Sequence, residues 1–264
     1  MKPTCHLFRN AKSLPRGVAA LLVLAALATP ADAQPTIQPG EVLTYFFDSN
    51  DKFDRVKGII DKTGLGHNGT SLSLDSESAV VPGHKAGNLA IVGWGDDLGG
   101  VIDGTVYWAG SGIFTHTDTH TLGIDTGPFT LMVWVVRGAW KGDNMLFGTT
   151  DNEALHIGFR QGNAHMGFWG NDLGGAPGVP LGDGKWHHMA FRYDPNLQGG
   201  QQDIYIDGIK VASRSGAGPF GRTQTLLIGR FGAAGSFAGL IEYPRVFNVA
   251  LTDTNISDAA NDNF

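Results

Sequence analysis

The chain has 264 residues, 39 of them glycine, with 19 basic against 25 acidic side chains and a single cysteine. The net charge of −6 argues against nucleic acid and anionic membranes as partners, since both select clustered Lys and Arg. One cysteine excludes an internal disulfide.

Residues 1–33 read as a secretory signal peptide. Lys2, Arg9, Lys12 and Arg16 precede an apolar run, "GVAALLVLAALAT" (17–29), too short to span a bilayer, and "ADA" (31–33) is a small-residue cleavage site. Cys5 lies upstream of that run, so it is no lipid anchor at the cleavage point. Without these four basic residues and Asp32, 15 basic residues face 24 acidic ones, a net −9. The expectation is a secreted or periplasmic protein whose residues 34–264 form a single domain. No second apolar run is long enough to cross a membrane.

Short apolar or alternating runs then recur, each closed by Gly, Pro, Asn or Asp. In order they include "VLTYFF" (42–47), "FTLMVWVV" (129–136), "MLFGTT" (145–150), "LHIGFR" (155–160), "HMGFW" (165–169), "WHHMAFRY" (186–193), "DIYIDG" (203–208), "IKVASRS" (209–215), "TLLIGRF" (225–231) and "AGLIEYPRVF" (238–247). Such spacing predicts an all-β, two-sheet antiparallel sandwich. Asp207-Gly208 between β-branched runs predicts a two-residue hairpin turn. In 129–136 both alternating faces are apolar, so that strand should be covered on both sides. The stretch 71–107 is glycine-rich and reads as loops with short strands. "LTDTNISDAA" (251–260) predicts a short terminal helix capped at Thr252 or Asp253.

Trp186-His187-His188, Tyr205-Ile206-Asp207-Gly208, Ile228-Gly229, Gly239-Leu240-Ile241-Glu242 and "RVFNVALT" (245–252) stand in an order that resembles laminin-G-like domains. These belong to the concanavalin A-like lectin/glucanase (jelly-roll) superfamily. "YFFDSN" (45–50), "DKTGLGHNGT" (61–70) and "GPFTLMVWV" (127–135) resemble the first strands of such domains. The resemblance implies a jelly roll, which hosts lectins, hydrolases, lyases and adhesion modules alike, so function must be argued from a site. It also implies that a structural calcium could be held by Asp61, neighbouring carbonyls and Glu242. Asn68 and Thr70 share that tight loop, and hard oxygen donors suit Ca²⁺. The same loop could instead be closed by side-chain turn bonds from Asp61 and Thr63.

One heptad occurs twice: "WGDDLGG" (94–100) and "WGNDLGG" (169–175). An indole offers a flat apolar face to a pyranose, Asp and Asn bond hydroxyls, and glycines let a ligand approach the backbone. The expected glycan-binding set is therefore Trp169, Asn171 and Asp172, facing Trp94 and Asp97. His156 and Arg160 share a strand face that could join it. The alternative is that both tryptophans are packing residues and the rest is turn. "HTDTH" (116–120) puts two imidazoles and a carboxylate at strand spacing, without a fourth ligand or supporting partners. For catalysis the signals are poor. Glycosidases need paired carboxylates, yet the segment after the leader has four glutamates, Glu41, Glu77, Glu153 and Glu242, widely separated. The reading is a secreted, non-catalytic carbohydrate-binding protein. A polysaccharide-degrading hydrolase or lyase on the same fold, or a structural or adhesive envelope protein, are the alternatives.

Overall fold

The alternation seen in the sequence becomes strand after strand. A computed structural model describes residues 36–46, 59–71, 80–82, 89–93, 101–102, 105–106, 112–138, 142–150, 154–176, 179–180, 183–232 and 236–263. The proposed leader (1–33) and the first heptad, with Trp94 and Asp97, lie outside them. The described residues belong to one compact unit, Gln34–Phe264.

In chain order the strands are β1 (Glu41–Thr44), β2 (Thr70–Ser71), β3 (Val80–Pro82), β4 (Leu89–Gly93), β5 (Val101–Ile102), β6 (Thr105–Val106), β7 (Ile113–Asp118), β8 (Phe129–Arg137) and β9 (Asn144–Thr149). They continue as β10 (His156–Arg160), β11 (Asn163–Gly167), β12 (Leu173–Ala176), β13 (His187–Asp194), β14 (Gln201–Ile206), β15 (Ile209–Arg214), β16 (Thr225–Ile228) and β17 (Gly239–Phe247), and one helix follows, α1 (Asp253–Ala260). The first sheet runs β15-β14-β13-β8-β17-β4-β3, with β1 also paired to β17. The second runs β12-β11-β10-β9-β16-β7-β2. Neighbours pair antiparallel in both. This is the predicted two-sheet sandwich.

The core follows from strand periodicity. Phe129, Leu131, Val133 and Val135 of β8 pack in one cluster with Ile157, Phe159, Ala164 and Met166 of the opposing sheet. The other face of β8 is covered by α1 at Met132, while Trp134 and Val136 further along it are half-buried. Met132 joins Ala190, Tyr205 and Phe247 beneath Leu251, Ile256 and Ala259. The helix starts where Thr252 accepts a bond from the Asn255 amide while the Asn255 side chain returns the contact, a reciprocal capping box. Burying Ile256 contributes roughly 2 kcal/mol of this docking.

The Asp207-Gly208 turn joins β14 to β15 with φ of 51° and 76°, the left-handed pair a two-residue hairpin requires. The Asp207 carboxylate accepts from the His188 amide (2.9 Å) and pairs with His187 Nδ1 (2.8 Å), and His187 Nε2 reaches Asp183 at 3.2 Å. His187 is thus a structural bridge. Burial works against its charge, but the bonds to Asp207 and Asp183 hold its pKa above the ordinary value.

Arg137 ends β8 inside the sandwich. Its guanidinium lies 4.1 Å above the Phe159 ring. Nη1 donates to the carbonyls of Gly162 (2.9 Å) and Val179 (3.0 Å). Burial lowers its pKa to about 10, so it stays charged at neutral pH. It ties the first sheet to the turn between β10 and β11, the hairpin that carries the site.

Candidate functional site

That hairpin is set by its turn. Gln161 and Gly162 both have positive φ, 50° and 92°, and Arg160 pairs with Asn163 across them. From there the register is forced: His165 faces Gly158, and His156 faces Gly167. Because side chains alternate, Ile157, Phe159, Ala164 and Met166 point to the core. His156, Arg160 and His165 therefore share the outer face of the second sheet.

Two imidazoles on an outer face would normally be wet, yet His156 is 1% and His165 4% exposed. Glycines explain it. A Cβ on Gly148, the β9 residue opposite His156, would sit 2.8 Å from the Cα of Phe231, so only glycine lets the 230–231 segment cross there. That crossing brings the Phe231 ring to 5.3 Å from His156. On the other side the His165 ring stacks at 5.2 Å, 26° between planes. Beneath both lies Gly167, where a Cβ would overlap the His156 ring and stand 2.6 Å from His165 Nε2. The two Nε2 atoms converge over that glycine.

After β11 the chain leaves the sheet through Phe168, buried against Phe129, Tyr193 and Phe220. Trp169 then turns outward. The residue is 63% exposed and its backbone has φ of 37°, a strained value for a bulky residue. Gly170, with φ of 83°, completes the bend. The Asn171 carbonyl accepts from Gln202 Nε2 at 2.9 Å, which pins the loop to β14. Asp172 then returns its carboxylate over the histidines. Its oxygens lie 3.5 Å from His156 Nε2, 3.9 Å from His165 Nε2 and 3.7 Å from Arg160 Nη1. Arg160 also pairs with Asp143 at 3.3 Å. His156 Nδ1 donates to the Ala154 carbonyl at 2.9 Å, so Nε2 is the nitrogen turned toward Asp172. Neither buried Nε2 makes a hydrogen bond. Burial first, then the Arg160 guanidinium and His156, push His165 down to about 4, so its ring is neutral at pH 7.

Of the expected glycan set, Trp169, Asn171, Asp172, His156 and Arg160 are thus gathered in one loop and the strand face beneath it. His165 was not anticipated. The Gln161-Gly162 pair was the available signal, since a two-residue turn there places His165 diagonal to His156.

Elsewhere the loop expected to hold calcium is closed by protein donors. Asp61 Oδ1 accepts from the amides of Thr44 and Thr63, both at 3.1 Å. Its Oδ2 accepts from Thr63 Oγ1 (2.7 Å) and the His67 amide (3.1 Å). Asn68 Oδ1 receives the Asp61 amide at 2.9 Å. Among them the Thr63 amide bond is the Asx-type turn considered as the alternative, and the Leu65 amide adds the ST-type bond to Thr63 Oγ1 at 3.2 Å. Glu242 is buried in β17 opposite Trp134. In "HTDTH", His116 bonds Thr70 (2.8 Å) and His120 bonds Asp125 (2.9 Å), so they serve separate contacts.

No curated protein matches the sequence. Among solved structures the fold is similar to domain 4 of AbnA, a GH43 extracellular arabinanase from Geobacillus stearothermophilus, in complex with arabinotriose. There the TM-score is 0.59 at 21% identity over 83% of this chain and 98% of that one. It is also similar to the binding domain of botulinum neurotoxin serotype D/C (TM-score 0.58, 13% identity, 85% of this chain and 52% of that one). The binding domain of Paraclostridial Mosquitocidal Protein 1 gives 0.58 at 15%, over 84% and 52%. This chain spans about half of those toxin domains. The laminin-G-like model of the Concanavalin A-like lectin/glucanases superfamily matches residues 109–257, a segment that holds β7 to β17 and every residue of the His156–Asp172 site. By sequence and by architecture, the chain belongs to that family.

Proposed function

We propose that this protein is a secreted, non-catalytic carbohydrate-binding domain that takes its ligand on the Trp169 loop. One observation carries the reading. Among the described residues, Trp169 is the one Trp, Tyr or Phe that stands largely in solvent, on a backbone bent into a strained conformation. Strained residues held by a rigid frame cluster at binding sites. Here the frame is firm, because buried Phe168 precedes the indole and the Asn171 carbonyl is tied to Gln202. An exposed indole next to an amide, a carboxylate and a guanidinium offers a stacking platform beside hydroxyl-bonding groups.

The neighbours support the reading. One was solved with arabinotriose, cell entry of botulinum neurotoxin type C depends on interaction with two ganglioside molecules, and the binding domain of botulinum neurotoxin DC was solved with SialylT. Secretion rests on the leader-like composition of residues 1–33. The test is calorimetric titration of the purified protein against a panel that includes arabino-oligosaccharides and sialylated glycans, with product assays on the same mixtures. The expected result is saturable binding of at least one saccharide with no new reducing ends and no unsaturated products. Turnover would favour an enzyme on this fold, and silence across the panel would remove the proposal.

A further inference from the structure

We infer that His156, His165 and Asp172 form a binding site for a zinc-class divalent cation, with one coordination position left for an exchangeable ligand. Their three ligand atoms lie within 4.8 Å of one another. Around a tetrahedral zinc with bonds near 2.0–2.2 Å, ligand atoms stand about 3.3–3.5 Å apart. His156 Nε2 stands 3.5 Å from one Asp172 oxygen, already at that spacing, and His165 Nε2 stands 3.9 Å from the other, so bringing all three ligand atoms to tetrahedral spacing takes rotation of the rings and the carboxylate from separations of up to 4.8 Å.

The buried imidazole nitrogens are the independent pointer to a ligand. Both Nε2 atoms are shut from water, aim at a common point over Gly167 and lack a hydrogen bond. Buried polar atoms are seldom left so. His156 has the supporting contact typical of a metal ligand, its Nδ1 donating to the Ala154 carbonyl. Nitrogen donors select against calcium and magnesium, which take oxygen. Three protein ligands, one of them on the half-exposed Asp172, describe an open rather than a closed site. Arg160, 3.7 Å from the Asp172 carboxylate, opposes a cation electrostatically and has Asp143 as a second partner to which it can turn.

The experiment is titration of the chelator-treated protein with ZnCl₂, and separately CoCl₂, CaCl₂ and MgCl₂, by calorimetry at pH 7.5. One zinc per chain is expected, Co²⁺ should develop a visible ligand-field band, and Ca²⁺ and Mg²⁺ should give no saturable heat. His165→Ala and Asp172→Asn should each weaken zinc by at least about 100-fold, the upper range for losing even an outer-shell partner. Asp172 is half-exposed, so its variant keeps the test readable if His165→Ala fails to fold. No saturable zinc binding by the wild type, or affinity unchanged in Asp172→Asn, overturns the site. The readout is metal alone, so it is distinguishable from any result with saccharides.

Discussion

Gly167→Ala examines the site's geometry with one methyl group. Gly167 lacks a positive φ, so alanine meets no backbone penalty there, and the effect is steric. The new Cβ would overlap the His156 ring and stand 2.6 Å from His165 Nε2. The His156 ring has no easy escape. His156 is held between Phe231 and His165 and by its 2.9 Å bond to Ala154. Overpacking a filled site costs about 1–3 kcal/mol, and losing the Ala154 bond adds about 1 kcal/mol. The expected destabilisation is therefore ~2–4 kcal/mol. In urea, with a slope of about 2 kcal/mol/M, the midpoint should fall by roughly 1–2 M. Gly174→Ala is the control: its Cβ would lie 3.1 Å from His165 Nδ1, and a small ring shift relieves that, so it should cost under about 1 kcal/mol. A Gly167→Ala midpoint equal to wild type would mean that the rings do not lie over this glycine, and the account of the buried imidazoles would fail.

Glu41→Gln should cost about 3–5 kcal/mol by denaturant titration, because it strands the Arg245 guanidinium. That group now holds Glu41 through two 2.8 Å bonds, with both side chains buried. Burial alone would raise the Asp203 carboxyl, but bonds from Ser213, Gln201 and Arg192 hold its pKa below the ordinary carboxylate value. Its contribution is therefore complete above about pH 4 and lost as pH falls through the lower folded value. An acid titration should show stability dropping there, with a shallower slope in Asp203→Asn. Millimolar calcium should leave the melting temperature unchanged within about 1 °C, since the Asp61 oxygens already accept four protein donors, and bound ligand would have raised it.

The sandwich was readable because its signals are local. Asp207-Gly208 fixes a hairpin by backbone conformation alone, and the two apolar faces of 129–136 announced a strand covered on both sides. Only the nature of the cover, the capped C-terminal helix, came from elsewhere in the chain. The site was half readable. Trp169, Asn171 and Asp172 are neighbours in sequence, and His156 and Arg160 share a strand face by period two. His165 escaped because "HMGFW" reads as an ordinary strand until the Gln161-Gly162 turn supplies its register. Phe231 and Gly148 could not be foreseen, since the burial of His156 depends on a segment about 75 residues away crossing a glycine. In the Asp61 loop one residue pattern suits two chemistries, a cation site or a set of turn bonds, so the sequence alone does not choose between them.

The exposed Trp169 ring is proposed as the saccharide platform. Its most direct test is paired titration of wild type and Trp169→Ala with the tightest glycan from the panel. With Trp169 63% exposed, the variant should keep the wild-type melting temperature. It should lose ~1–2 kcal/mol of binding, or about 5–30-fold in affinity, the worth of a good ring contact. An unchanged affinity in a folded Trp169→Ala protein would contradict the claim.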